Sequence, residues 1–170
     1  YVVIDPVMVA KSGDRLLPEE SVEALKTELL PLATILTPNL PEATALCGRT
    51  EEIKAESEMP ALARELLELM SSGSWLLLKG GHFSGPEVPD FLTDGQTDRI
   101  LNARRIETKN THGTGCTLSS AIATLLPQTQ NVPEAVQKAK EYLSAAILHS
   151  DELAVGRGHG PVHHFYNIWK

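Results

Sequence analysis

Short, largely apolar runs alternate along this chain with longer amphipathic segments, and that alternation constrains the fold more than any other feature. Residues 1–5 (YVVID), 33–37 (ATILT) and 75–79 (WLLLK) read as strands buried on both faces. Residues 18–30 predict a helix: Pro18 suits its first turn, Glu19 and Glu20 its positive end, and Val22, Leu25 and Leu29 repeat at helical spacing. A short helix is expected over 41–47, with Asn39 or Leu40 near its cap and Gly48 as its terminator. Residues 57–71 carry Leu62, Leu66, Leu67 and Met70 on one face and are closed by Gly73. Around Asp94 and Gly95, residues 91–93 and 99–107 read as a hairpin or two edge strands. Two further helices, to about Leu126 and from Pro133 to about His149, precede an irregular tail. Strand–helix alternation of this kind implies an α/β fold: a parallel sheet, right-handed crossovers and helices on both faces.

A chain of 170 residues, 42% hydrophobic, suits one domain with a sizeable core. Its formal net charge of -7 argues against nucleic acid or an anionic membrane as the main partner. It leaves a phosphorylated ligand open, because such ligands are held by local N–H groups and one or two cations. Cys47 and Cys116 form no CxxC pair and no disulfide framework, which fits a reducing cytoplasm. No apolar run is long enough to span a bilayer, and no signal peptide is seen. The chain starts in mid-strand at Tyr1 without Met, as part of a longer protein would.

The stretch THGTGCTLSSAIATLL, residues 111–126, carries the most chemistry. Gly113 and Gly115 lack the Cβ that would stop the backbone from curling tightly or approaching a ligand closely. The helix behind them leaves its first N–H groups without intrahelical partners, and its dipole adds positive charge at the same end. Together these make a pocket for an anion, a compact phosphate in particular. Cys116 sits in the first turn, where that field would lower the thiol's pKa and favour thiolate. A plain glycine turn capping a core helix is the alternative. The loop is neither a P-loop, since no Lys follows Gly115, nor a dinucleotide fingerprint.

Ligands of open α/β sheets bind outside the carboxyl ends of the strands. Here the first strand ends in Asp5, the second runs into Thr37, Pro38 and Asn39 with Glu42 just beyond, and the third ends in Lys79, Gly80 and Gly81. Two carboxylates for Mg²⁺ and its waters and one ammonium are the parts phosphoryl transfer needs. Singly each has a bland role: Asp5 capping a turn, Glu42 favouring a helix start, Lys79 solvated. His159, His163 and His164 lie in a Gly-rich tail without ligands at zinc spacing, and read as packing or subunit-contact residues.

Five collinear segments resemble the hydroxymethylpyrimidine/phosphomethylpyrimidine kinases, thiamine-pathway members of the ribokinase-like family. They are DPVMVAKSGDRLL (residues 5–17), LTPNLPEA (36–43), LLLKGGH (76–82), TKNTHGTGCTLSSAIA (108–123) and GHGPVHHF (158–165). The resemblance implies a three-layer αβα fold with a mostly parallel sheet, and covers the C-terminal two-thirds of such a kinase. The N-terminal strands of the family, its AGxDxSGGAG-type substrate motif and most of its pyrimidine pocket have no counterpart here. It also implies ATP- and Mg²⁺-dependent phosphorylation of 4-amino-5-hydroxymethyl-2-methylpyrimidine and then of its monophosphate, in a cytoplasmic homodimer. Gly113, Thr114, Gly115 and Cys116 would then surround the transferring phosphoryl group, with Cys116 taking the proton from the substrate hydroxyl. Lys79 would neutralise the phosphates, Asp5 and Glu42 would hold Mg²⁺, and residues 108–111, Thr111 among them, would lie along the nucleotide. Two alternatives stay open: a pyridoxal-kinase-like enzyme acting on B6 vitamers, and a nucleotide-binding fragment without turnover.

Overall fold

The computed structural model describes residues 1–8 and 16–169, so the part of the DPVMVAKSGDRLL segment from 9 to 15 lies outside the described residues. Five strands form one sheet in chain order: β1 (Val3–Ile4), β2 (Ile35–Leu36), β3 (Trp75–Lys79), β4 (Glu87–Thr93) and β5 (Asp98–Arg104). The first three are parallel, with Ile4 beside Leu36 and Leu36 beside Leu76. β4 turns back antiparallel to β3, pairing Leu76 with Thr93 through to Lys79 with Asp90, so the sheet is mixed. A four-residue connection makes β4 and β5 a hairpin. Its turn is held by Asp94 Oδ1, which accepts from the Gln96 and Thr97 N–H groups at 3.0 and 2.7 Å.

The chain divides into two units, Tyr1–Asn102 and Ala103–Lys170. In the first, helices α1 (Glu19–Ala24), α2 (Leu40–Leu46) and α3 (Met59–Leu67) accompany the sheet. Their Leu40, Ala43, Leu46, Leu62, Ala63 and Leu66 close over Ile4, Leu36, Leu76 and Leu78 in one apolar core. Leu76, Leu77 and Leu78 are all fully buried, which is why β3 shows no alternation in sequence.

Several expected boundaries shift: β1 and β2 are shorter than 1–5 and 33–37, and β5 ends at Arg104 rather than 107. Regular helix over 18–30 ends at Ala24 and continues as a π turn (Leu25–Leu29) and a 3₁₀ turn (Leu30–Leu32), where Pro31 has no N–H to give. The 57–71 helix opens with a 3₁₀ turn (Glu56–Glu58) and regular α-helix stops at Leu67, beyond which Leu69 and Met70 donate only three residues back. β4 starts at Glu87 rather than 91 and runs through Pro89, which lies one position outside the β3 pairing and has no ladder N–H to supply.

The second unit holds α4 (Thr114–Thr129) and α5 (Val132–Leu148) packed on each other, linked through Gln130 in the left-handed region at φ 52°. Leu118, Ile122 and Leu126 of α4 and Ala135, Val136 and Ala139 of α5 are buried. α4 outlasts its expected end at Leu126 and carries Pro127 within it. A 3₁₀ turn (Ser150–Glu152) leads into the irregular tail, which the His163 N–H fastens to the Ala146 carbonyl at 2.8 Å. Among the described residues no helix is long and apolar enough to cross a membrane.

Candidate functional site

Parallel pairing brings the carboxyl ends of β1, β2 and β3 side by side, and with them the residues that follow each strand. Asp5 Oδ1 accepts from Lys79 Nζ at 2.9 Å and from Thr37 Oγ1 at 3.3 Å, a cluster assembled from all three strand ends. Lys79 and Asp5 keep 15% and 12% of their side-chain surface, so the pair is shielded but not sealed from solvent. Thr37, offered by the sequence only as a strand end, is fully buried and also donates toward the Ile4 carbonyl. Behind Lys79, the Gly80 N–H is taken by Asp90 Oδ1 at 3.0 Å, an acceptor that sequence reasoning missed.

Glu42 stands at the start of α2 and closes a capping box. Its Oε2 accepts from the Asn39 N–H at 2.8 Å, while Asn39 Oδ1 accepts from the Glu42 N–H at 2.8 Å. The bland role offered for Glu42 is therefore real, and it brings the carboxylate into the field of Lys79 and Asp5. Burial pushes its carboxyl above the ordinary glutamate range; the Asn39 N–H and the Lys79 ammonium oppose that shift, and Asp5 adds to it.

In the second unit the glycine loop enters α4 through Gly113, whose φ of 78° is left-handed, with open space where a Cβ would stand. Gly115 lies inside the helix as its second residue. Among the described residues no side chain caps this end, and the leading N–H groups of α4 lack intrahelical partners, as at any uncapped helix start. Thr117 turns back to the Gly113 carbonyl through both its N–H and its hydroxyl, at 2.8 and 2.7 Å. Thr114 Oγ1 donates to the Thr111 carbonyl at 3.3 Å. Cys116 is exposed and lines an open groove of about 660 Å³ together with Gly113, Thr117, Lys138, Tyr142 and His164 among others. By contrast Cys47 is half-buried and its thiol is pushed up to about 11, first by burial and then by the Glu65 carboxylate.

The segment before the loop is less available than expected. The side chains of Thr108 and Asn110 point into the turn after α5, bonding Asp151 Oδ1 at 2.6 and 2.8 Å. The tail lies against the same segment: Gly160 accepts from the His112 N–H at 3.0 Å, and His159 Nδ1 donates to the Lys109 carbonyl at 3.2 Å. His163 is buried edge-on to Trp169, and His164 borders the groove. Among the described residues no three His, Cys, Asp or Glu side chains gather as a metal site.

The sequence profile of the phosphomethylpyrimidine kinase family matches residues 1–163. A hydroxymethylpyrimidine/phosphomethylpyrimidine kinase of Rhizobium meliloti is 50% identical over 169 residues, covering 99% of this chain and 62% of that protein. The solved phosphomethylpyrimidine kinase of Clostridium difficile superposes with a TM-score of 0.71 at 38% identity, over 86% of this chain and 57% of that one. Pyridoxal kinase from Staphylococcus aureus, solved with AMP-PCP, gives a TM-score of 0.84 at 32% identity over 96% of this chain and 57% of that one. The chain thus spans about three fifths of the length of the curated relatives it matches. With the profile reaching from Tyr1 past the tail's Gly160, and the glycine loop, the lysine strand and the capped α2 all inside it, this chain belongs to the phosphomethylpyrimidine kinase family.

Proposed function

We propose that this chain supplies the nucleotide- and phosphate-handling part of an ATP-dependent kinase. Its acceptors would be 4-amino-5-hydroxymethyl-2-methylpyrimidine and its monophosphate, on the route to thiamine diphosphate. The observation that carries this reading is an exposed thiol in the first turn of an uncapped helix entered through a left-handed glycine. The N–H groups of Thr114, Gly115 and Cys116 would receive phosphoryl oxygens as charge builds on them, and Thr111 would flank the nucleotide. Cys116 would accept the proton of the substrate hydroxyl as that oxygen attacks phosphorus. Lys79 would neutralise the phosphates that remain on the leaving nucleotide.

Asp5 and Glu42 fit a hydrated Mg²⁺: both are hard oxygen donors in the field of one ammonium, and Mg²⁺ commonly takes only one or two carboxylates while keeping waters. When bound, the ion would offset negative charge on the nucleotide's phosphates. A cytoplasmic homodimer is the setting we infer; two thiols without a disulfide agree with a reducing compartment.

A second reading, a pyridoxal-kinase-like enzyme, is favoured by the superposition on the staphylococcal pyridoxal kinase. A coupled ADP-release assay with the hydroxymethylpyrimidine, its monophosphate and pyridoxal separates the two. Release with either pyrimidine supports the proposal, release with pyridoxal alone transfers the assignment, and ATP binding without release from any acceptor reduces the chain to a nucleotide-binding fragment. In an active preparation, Cys116→Ala should abolish turnover and leave ATP affinity within about threefold, as expected for a proton acceptor used only in the chemical step. Unchanged turnover would remove Cys116 from that role.

A further inference from the structure

Three residues before Gly113, a buried amide ties three separate segments together. Asn110 keeps 6% of its surface, and its Nδ2 donates to the Ser150 carbonyl at 3.1 Å and to Asp151 Oδ1 at 2.8 Å. The same Asp151 oxygen accepts from Thr108 Oγ1 at 2.6 Å, and Thr108 Oγ1 in turn accepts from the Asn110 N–H at 3.1 Å. On the far side the tail backbone is pressed against the amide: a Cβ on Gly160 would stand 2.2 Å from Asn110 Oδ1. Gly160 also accepts from the N–H of His112, the residue directly before Gly113.

We propose that Asp151 is a positioning residue for the glycine loop. Its carboxylate, gripping Asn110 and Thr108 at once, fixes the segment that delivers Gly113 and Cys116 to the start of α4. The chemistry of the grip favours this over incidental packing. One anionic oxygen accepts two bonds from residues two apart in the same segment, and bonds to a charged acceptor are the strong ones. The second bond of Asn110, to Ser150, comes from the turn that ends α5, so the loop is referenced to the helix that α4 packs on. Groups that must be held within a fraction of an ångström are supported by such secondary contacts. The assignment rests on reading Gly113–Cys116 as the phosphate-facing loop.

The test exchanges the two side chains. Asn110→Asp sets two carboxylates against each other and removes the amide donor. Asp151→Asn removes the charge. The double variant Asn110→Asp/Asp151→Asn restores a donor and an acceptor in reversed order. Iodoacetamide labelling of the 170-residue chain at pH 7.5, resolved at Cys116 by mass spectrometry, needs no turnover; circular dichroism confirms that each variant is folded. Expected is a change of about tenfold in Cys116 labelling in each single variant, as the loop that carries the thiol shifts, with recovery to within about threefold of wild type in the double. Where ADP release is measurable, kcat should fall about tenfold in the single variants with KM for ATP within about twofold. Labelling unchanged within twofold in a folded Asp151→Asn chain, or no recovery in the double, overturns the proposal. Should Asn110→Asp fail to fold, Asp151→Asn alone decides by the same labelling criterion. A wild-type chain that releases no ADP yet shows this labelling pattern removes turnover by this chain and leaves the positioning role standing.

Discussion

At Gly80 a Cβ would lie 2.0 Å from the Pro89 carbonyl oxygen and 3.2 Å from the Phe83 ring. The oxygen belongs to the backbone of β4 and cannot step aside without breaking the strand's approach to β3. At Gly113 the situation is reversed: nothing stands within 4 Å of the missing Cβ, and only the positive φ of 78° resists a side chain. Two glycines of one family signature are therefore needed for different reasons, one by a steric wall and one by backbone conformation. Gly80→Ala should cost about 3 kcal/mol or more of stability, as overpacking against immovable backbone does. Gly113→Ala should cost about 1 kcal/mol, the penalty of a left-handed alanine. Urea titrations followed by circular dichroism check both, and a smaller loss at Gly80 than at Gly113 would contradict the distinction.

α2 is only seven residues long, too short to persist on intrinsic propensity, so its start must be fixed by specific bonds. Asn39 and Glu42 supply them reciprocally, and the same cap holds Asn39 beside Lys79 at the end of β3. Asn39→Ala should therefore cost about 1 kcal/mol, with Asn39→Ser recovering most of it, in the same urea titrations. This element was legible in advance because the residues Asn39, Leu40, Pro41 and Glu42 spell a helix start, and β3 was legible to the residue because its apolar run ends at a lysine and two glycines. Asp5, Lys79 and Glu42 could be picked out as strand-end and helix-start groups. Their bonding could not: Lys79 and Asp5 are 74 positions apart, and which oxygen meets which nitrogen depends on strand order. The Asn110–Asp151 contact was hidden for the same reason, since nothing local in either segment announces a partner 41 residues away. The expected start of β4 at 91 falls short of Glu87 because the first residues of the strand, Pro89 among them, lie outside the pairing with β3, where no ladder N–H is wanted.

Taken over the whole molecule, stability must carry the strain of holding anionic groups together in a chain that already bears a formal charge of -7. Glu42 is the clearest case: burial outweighs both the Asn39 N–H and the Lys79 ammonium, so its folded-state pKa is raised above the ordinary 4.5. A carboxyl raised on folding adds stability below its unfolded value, and that contribution is lost as pH climbs through the folded one. Ionised Glu42 thus weighs against the fold at neutral pH. Glu42→Gln keeps an oxygen to accept from Asn39 while removing the charge, so its melting temperature relative to wild type should rise steadily between pH 4 and pH 7. In a Lys79→Met background the ammonium that partly offsets the buried charge is gone, and the advantage of glutamine at pH 7 should grow further. Thermal melts of the four chains across that range test the point. A glutamine advantage that is flat or shrinks with rising pH would mean that Lys79, not burial, governs this carboxylate, and Glu42 would then be held at the rim as one half of an ion pair rather than as a strained acid.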